Sequence, residues 1–134
     1  LVNDIKSYDR FYKQYNLKKV SKDELLSKSD IVSLHTPLDD STRNMLTSER
    51  LSLMKSDAIL INAARGGLLD ERALKHMLIN GQLAGAALDV FLTEPPQDKE
   101  LLNLSNFIVT PHIGGSAIEA IMAMGRSAIE GLEQ

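Results

Sequence analysis

Five short runs, at positions 1–2, 31–35, 58–62, 84–90 and 107–110, are apolar almost residue by residue instead of alternating apolar with polar. A strand with one wet face alternates, whereas a strand of a parallel sheet covered on both faces does not. Segments of helical character lie between these runs. The stretch Ser21-Lys22-Asp23-Glu24 opens with a capping box, in which the Ser and Glu side chains satisfy each other's free amides. A second helix is expected from Thr47 to Lys55, and a third after Asp70 as its N-cap, burying Leu74 and Leu78 and stopping at Gly81. Strands and helices in alternation dictate βαβ units with right-handed crossovers. The expected fold is α/β, a doubly wound parallel sheet.

The last segment differs. Ser116-Ala117-Ile118-Glu119 is a further capping box, opening a helix that carries Ile118, Ile121, Met122, Ile129 and Leu132, with no strand after it. Its apolar stripe needs the sheet, or a domain outside the chain, to cover it. The chain also opens on Leu1-Val2, without an initiator Met and as if entering mid-strand, and is therefore expected to be a fragment.

Composition narrows the function classes. A chain of 134 residues, 43% hydrophobic and 25% charged, has the make-up of one soluble globular domain. A net charge of -3 with no run of Lys or Arg points away from nucleic acid and from an anionic membrane surface as partners. The apolar stretches are far shorter than a bilayer span, and no signal peptide is visible, so a cytoplasmic protein is expected. With no cysteine there is no disulfide, and no metal site is expected.

In an open parallel sheet, ligands bind at the carboxyl ends of the strands. Here those ends carry chemistry: Asp4 after the first run, His35-Thr36-Pro37 after the second, and Asn62-Ala63-Ala64-Arg65-Gly66-Gly67 after the third. Asp89, with Glu94 shortly beyond it, closes the fourth, and Thr110-Pro111-His112 closes the fifth. Arg65 either holds a substrate carboxylate bidentately or makes a strand-end salt bridge. His112, restrained between Pro111 and Gly114-Gly115, is either a structural histidine or a proton donor. Glu94 either solvates the Pro95-Pro96 loop or reaches His112, orienting the ring and favouring its protonated form, as carbonyl reduction near neutral pH requires. His35 is expected to line a loop wall and His76 to be solvated.

Three stretches occur in order: Asn62-Ala63-Ala64-Arg65-Gly66-Gly67-Leu68-Leu69-Asp70, then Ala86-Ala87-Leu88-Asp89-Val90-Phe91 with Glu94-Pro95-Pro96, then Thr110-Pro111-His112-Ile113-Gly114-Gly115. Together with the segments 29–38 and 41–43 they resemble the signatures of the D-2-hydroxyacid dehydrogenases, the family of D-3-phosphoglycerate dehydrogenase. The resemblance extends from Leu1 to Ile118. It implies a Rossmann-type sheet, partial here because the first βαβ unit with its G-x-G-x-x-G loop would precede Asp4 by about 20 residues and is not in this chain. On this reading residues 1–115 are the C-terminal part of an NAD-binding domain, and residues 116–134 form a helix crossing back toward an absent substrate domain.

The resemblance also implies roles. Arg65 would bind the substrate carboxylate and keto oxygen, Glu94 would pair with His112, and His112 would be the general acid/base. Asp89 would hold the nicotinamide carboxamide and Asp4 the adenosine ribose hydroxyls. Thr36 and Pro37 would pass beside the adenosine half of the cofactor, while Ala63, Ala64 and Gly114, with Arg65 and His112, would line the nicotinamide half. An acid at position 4 favours NAD over NADP because it would repel a 2′-phosphate, although Lys6 stands nearby.

The implied activity is hydride transfer between NAD and a small D-2-hydroxy acid or 2-oxoacid, most similar to the oxidation of 3-phosphoglycerate, in a homodimeric complete protein. A dinucleotide-sensing protein of the corepressor kind could be built on the same scaffold. The fragment by itself is expected to be inactive.

Overall fold

A computed structural model describes residues 1–132 of the chain. Its centre is a four-stranded parallel sheet, β1 (Ile31–Leu34), β2 (Ile59–Asn62), β3 (Gly85–Leu88) and β4 (Phe107–Val109), in the spatial order β1-β2-β3-β4. The register is regular: Val32 lies beside Leu60, Leu60 beside Ala86, and Ala86 beside Phe107. This is the α/β parallel sheet that the apolar runs predict, and the Rossmann-type sheet that the resemblance implies. Among the described residues six helices accompany it: α1 (Asp9–Gln14), α2 (Lys22–Lys28), α3 (Ser48–Leu51), α4 (Glu71–Ile79), α5 (Lys99–Leu102) and α6 (Ile118–Leu132).

Each strand neighbours the one before it in sequence, so crossovers of one hand place α3, α4 and α5 on a single face. Burial alternates accordingly. Val32, Leu34, Leu60, Ala86 and Leu88 are buried against Leu26, Leu51, Leu74 and Leu78, whereas Ile31, Ile59 and Ile108 of the opposite face are exposed. The second apolar face thus has no cover among the described residues, although its composition suits one.

Local chemistry explains the helix starts. Asp70 caps α4 by accepting from the Arg72 and Ala73 amides, both at 3.0 Å, and the chain leaves that helix through Gly81. Thr47 caps α3, which is shorter than expected because its helical residues end at Leu51 rather than near Lys55. At α2 only half of the anticipated capping box forms. Ser21 Oγ accepts from the Glu24 amide at 3.1 Å, but the Glu24 carboxylate turns to Lys28 at 2.9 Å and Lys18 at 3.6 Å.

Two further expectations are corrected. Leu1–Val2 does not extend the sheet: Val2 makes only an isolated parallel bridge to Lys19, leaving Asp4 in a separate segment. The last helix begins at Ile118, one residue later than a Ser116 cap would set it, and none of its side chains is buried among the described residues. No helix among those residues is long and apolar enough to cross a membrane.

Candidate active site

Parallel pairing lines up the strand ends, and this builds the candidate site. The Asp89 amide donates to the Asn62 carbonyl at 2.9 Å and the Thr110 amide to the Leu88 carbonyl at 3.1 Å, so the segments leaving β2, β3 and β4 start side by side. Asn62 and Asp89 are the two buried polar side chains among the described residues, and both stand at this edge. An unpaired buried amide or carboxylate is costly, so each must organise its own surroundings.

Asn62 does so for the Arg65 loop. Its Oδ1 accepts from the Ala64 amide at 3.1 Å, and its Nδ2 donates to the Arg65 carbonyl at 2.9 Å. The loop is closed on the amide like a clasp, while the Arg65 side chain stays exposed. Its guanidinium donates to the Ala64 carbonyl at 2.7 Å and makes no ion pair among the described residues, so the alternative of a strand-end salt bridge is not what forms.

Asp89 organises the loop that carries His112. Its Oδ1 accepts from the Thr110 hydroxyl and from the Ile113 amide at 2.8 Å, and its Oδ2 from the Gly114 amide at 2.8 Å. The Thr110 hydrogen bond, with the two amides and the charge of His112 behind it, holds the Asp89 carboxyl below the usual range despite its burial. At Gly114 a Cβ would lie 2.9 Å from Asp89 Oδ2, so only glycine permits this approach. His112 itself adopts a left-handed backbone with φ of 54°, a sparsely populated conformation for a non-glycine residue. The clamped Thr110, Ile113 and Gly114 on either side hold it there.

Glu94 is reached by both its own turn and the His112 loop. Oε1 accepts from the Phe91 amide at 3.0 Å, and Oε2 lies 2.8 Å from His112 Nδ1. A carboxylate only accepts, so Nδ1 carries the hydrogen and Nε2 is left for another partner. The hydrogen bond from His112, then that from Phe91, lowers the Glu94 carboxyl below its usual value. Both side chains are partly exposed, 49% for His112 and 37% for Glu94, so the ring can still be reached from solvent.

The remaining sequence candidates fall around this centre or apart from it. Ala63 and Asp89, with Asn62, Ala87 and Thr110, line a cavity of about 130 Å³ at the carboxyl ends of β2, β3 and β4. Ala64 is half-buried beside Arg65. Thr36 is half-buried after β1, with its hydroxyl 4.0 Å from Met45 Sδ, and the carbonyl of exposed Pro37 accepts from the Thr42 hydroxyl at 2.7 Å. Asp4 is exposed, and its Oδ1 accepts from the Lys6 amide at 2.8 Å. His35 is exposed and pairs with Ser33 at 2.8 Å, and His76 is exposed beside Asn80 on α4. The sequence pattern predicts no task for Asn62 or Thr110. Each ends an apolar run in a polar residue at the ligand edge, which was the available signal.

Residues 2–114 match the family model described as D-isomer specific 2-hydroxyacid dehydrogenase, NAD binding domain. The D-3-phosphoglycerate dehydrogenase of Methanocaldococcus jannaschii is 47% identical over 111 residues, covering 83% of this chain and 21% of that protein. The hydroxypyruvate reductase of Thermotoga maritima is 44% identical over 114 residues, covering 83% of this chain and 37% of that protein. Among solved structures, a glyoxylate reductase from Paecilomyes thermophila superposes with a TM-score of 0.90 at 34% identity, over 98% of this chain and 40% of that one. A D-lactate dehydrogenase from Aquifex aeolicus, complexed with NAD and lactic acid, gives 0.86 at 31% identity, over 98% of this chain and 44% of that one. The chain thus spans between 21% and 44% of the length of these relatives. It belongs to the D-isomer specific 2-hydroxyacid dehydrogenase family and carries the strand ends of that family's NAD-binding domain.

Proposed function

We propose that the protein containing this chain transfers a hydride between NAD and a small D-2-hydroxy acid, with D-3-phosphoglycerate the first substrate to test. The observation that carries the proposal is the His112–Glu94 contact at 2.8 Å, formed at the same sheet edge as an Arg65 that has no acidic partner among the described residues. The relatives named for D-3-phosphoglycerate, hydroxypyruvate and glycerate favour a three-carbon 2-hydroxy acid.

The residues suit the nicotinamide half of the cofactor. The cavity at the ends of β2, β3 and β4 has the small side chains of Ala63 and Ala87 at its wall, leaving room for a flat ring. Asp89 has about four acceptor positions on its carboxylate, of which Thr110, Ile113 and Gly114 fill three. The one remaining, on Oδ2, would accept from a carboxamide, with Ala64 and Gly114 alongside. Asp4, Thr36 and Pro37 would face the adenosine half. When bound, the cofactor supplies the hydride that is added to the substrate carbon.

The chain's own groups do the rest. Arg65 pairs with the substrate carboxylate through two parallel N–H donors and polarises the neighbouring carbonyl. His112 Nε2 gives a proton to the oxygen as it becomes an alkoxide, and takes it back in the reverse direction. Glu94 fixes the ring and balances the imidazolium charge. Residues 1–115 are proposed as the C-terminal part of the nucleotide domain. Residues 116–134, with the exposed apolar side chains of α6, are proposed to pass toward a substrate domain that the longer relatives also have room for.

The test is turnover by the complete protein with NADH and the 2-oxoacids of D-3-phosphoglycerate and D-glycerate, beside a His112→Gln variant. The variant is expected to lose at least about a hundredfold in kcat while keeping its affinity for NADH. Near-normal turnover in His112→Gln would overturn the assignment.

A further inference from the structure

The turn from Phe91 to Glu94, which places the Glu94 carboxylate on His112, is held from outside as well as from within. Inside it, the Phe91 amide donates to Glu94 Oε1 at 3.0 Å. Outside it, the Leu92 amide donates to Glu71 Oε1 at 2.7 Å, across 21 residues of sequence. Behind it lies Gly66, so close that a Cβ there would collide with the Phe91 carbonyl. The turn is therefore gripped between the glycine that follows Arg65 and the first residue of α4.

An acid in the first turn of a helix ordinarily serves the helix, by capping it or by opposing its dipole. Glu71 does not cap α4, because Asp70 already accepts from the Arg72 and Ala73 amides. The Glu71 side chain instead reaches away from its helix to a backbone donor in another loop, and it is half-buried there. That burial raises its carboxyl above the usual value, with the charges of Asp70 and Glu94 acting in the same sense and the Leu92 amide opposing them. A carboxylate kept in a spot that disfavours its charge, next to two like charges, must be useful as an acceptor.

We infer that Glu71 is a positioning residue for the Glu94–His112 pair, acting through the Leu92 amide to hold the turn in the one shape that lets Glu94 accept from Phe91 and His112 together. Glu71 does not touch the imidazole and takes no part in proton transfer. What it supplies is geometry, and what the pair needs from it is an oxygen at the right reach, not a charge. The inference rests on the proposed dehydrogenase reading only where it calls His112 the proton donor.

The acceptor requirement separates three substitutions. Glu71→Gln keeps an oxygen at the same reach and removes the charge, Glu71→Asp keeps the charge and withdraws the oxygen by one methylene, and Glu71→Ala removes both. The direct readout is the carboxyl-carbon titration of Glu94, followed by NMR in each variant of the protein. In the parent and in Glu71→Gln, Glu94 should titrate below the ordinary value; in Glu71→Asp and Glu71→Ala it should move back up toward it. Removing a nearby negative charge would by itself move Glu94 down, so an upward movement in Glu71→Ala reports the turn and not the charge. Should Glu71→Ala fail to fold, the Gln and Asp variants decide the matter between them. An unmoved Glu94 in Glu71→Asp, or a Glu71→Gln that behaves like Glu71→Asp, overturns the inference.

In the complete protein, Glu71→Asp should lower kcat on the order of tenfold with little change in KM for the cofactor, and Glu71→Gln should stay near the parent. The NMR titration needs no turnover. A failed dehydrogenase assignment would show as an active His112→Gln, and a failed role for Glu71 as a Glu94 titration that ignores it.

Discussion

Nδ1 of His112 lies 2.8 Å from Oε2 of Glu94, and the second oxygen of the same carboxylate is held by the Phe91 amide at 3.0 Å. The carboxylate therefore has one oxygen for the loop that carries it and one for the ring it orients. Glu94→Gln keeps the size and loses the carboxylate that accepts from both His112 and Phe91. We expect kcat to fall on the order of tenfold at neutral pH, and the loss of activity in acid that follows protonation of the Glu94 carboxylate, whose pKa is lowered chiefly by the His112 hydrogen bond, to disappear from the profile. A kcat–pH profile superimposable on that of the parent would mean that the contact has no catalytic consequence.

Arg65 donates to the Ala64 carbonyl, leaving its outward donors for a ligand. Arg65→Ala is expected to lower kcat/KM for 2-oxoacids by about a hundredfold or more, affecting binding and turnover together. Arg65→Lys should restore little of it, since a point charge cannot reproduce two parallel N–H donors. Normal 2-oxoacid affinity in Arg65→Ala would remove the clamp from the mechanism.

Asp89 gathers Thr110, Ile113 and Gly114, and its carboxyl is held below the ordinary range chiefly by the Thr110 hydrogen bond. A carboxyl lowered in the folded state contributes stability that is fully present above its unfolded value and is lost as pH falls through the lower folded value. Asp89→Asn, which sets an amide N–H₂ against backbone donors, should cost on the order of 1–3 kcal/mol near neutral pH. It should also flatten the loss of stability in acid. Denaturation curves at a series of pH values, showing the same acid dependence in both proteins, would contradict this account.

Gly66 abuts the Phe91 carbonyl and the Leu92 amide, with no room for a methyl group. Gly66→Ala must displace one backbone segment from the other, at a cost on the order of 1–3 kcal/mol. Because the displaced segments carry Arg65 and Glu94, activity should fall by more than the loss of folded protein explains. A folded variant of full specific activity would show that the two loops are not mechanically joined.

The parts of this molecule that were legible in its sequence are those with a local cause. The β2, β3 and β4 ends could be placed because each apolar run stops abruptly at a polar residue, and the Asp70 cap could be placed because Asp precedes a helical stripe. Order and spacing along three such ends pointed to Arg65, Glu94 and His112, of which the His112–Glu94 contact forms and the catalytic roles are the proposal made above. The short helices α1 and α5 were not legible: α1 has only six residues, and α5, capped by Asp98, has four, too few for a period to emerge. The capping box at Ser21 misled by half because Lys28 and Lys18 compete for Glu24 in three dimensions. The bond from Leu92 to Glu71, 21 residues apart, is invisible to any local rule.

The strands of the sheet lie beside one another in the order in which they are joined by the chain. As these units are synthesised, each βαβ unit finds the neighbour it pairs with already made, and among the described strands none has to be inserted between two earlier ones. The reactive edge is assembled in the same sequence, the Arg65 loop first, Glu94 next and His112 last. Asp89 waits with its acceptors unfilled until Thr110, Ile113 and Gly114 arrive. In a nascent chain the Arg65 loop is therefore made before His112, and the pairing of β4 with β3 brings Thr110, and with it the His112 loop, to Asp89.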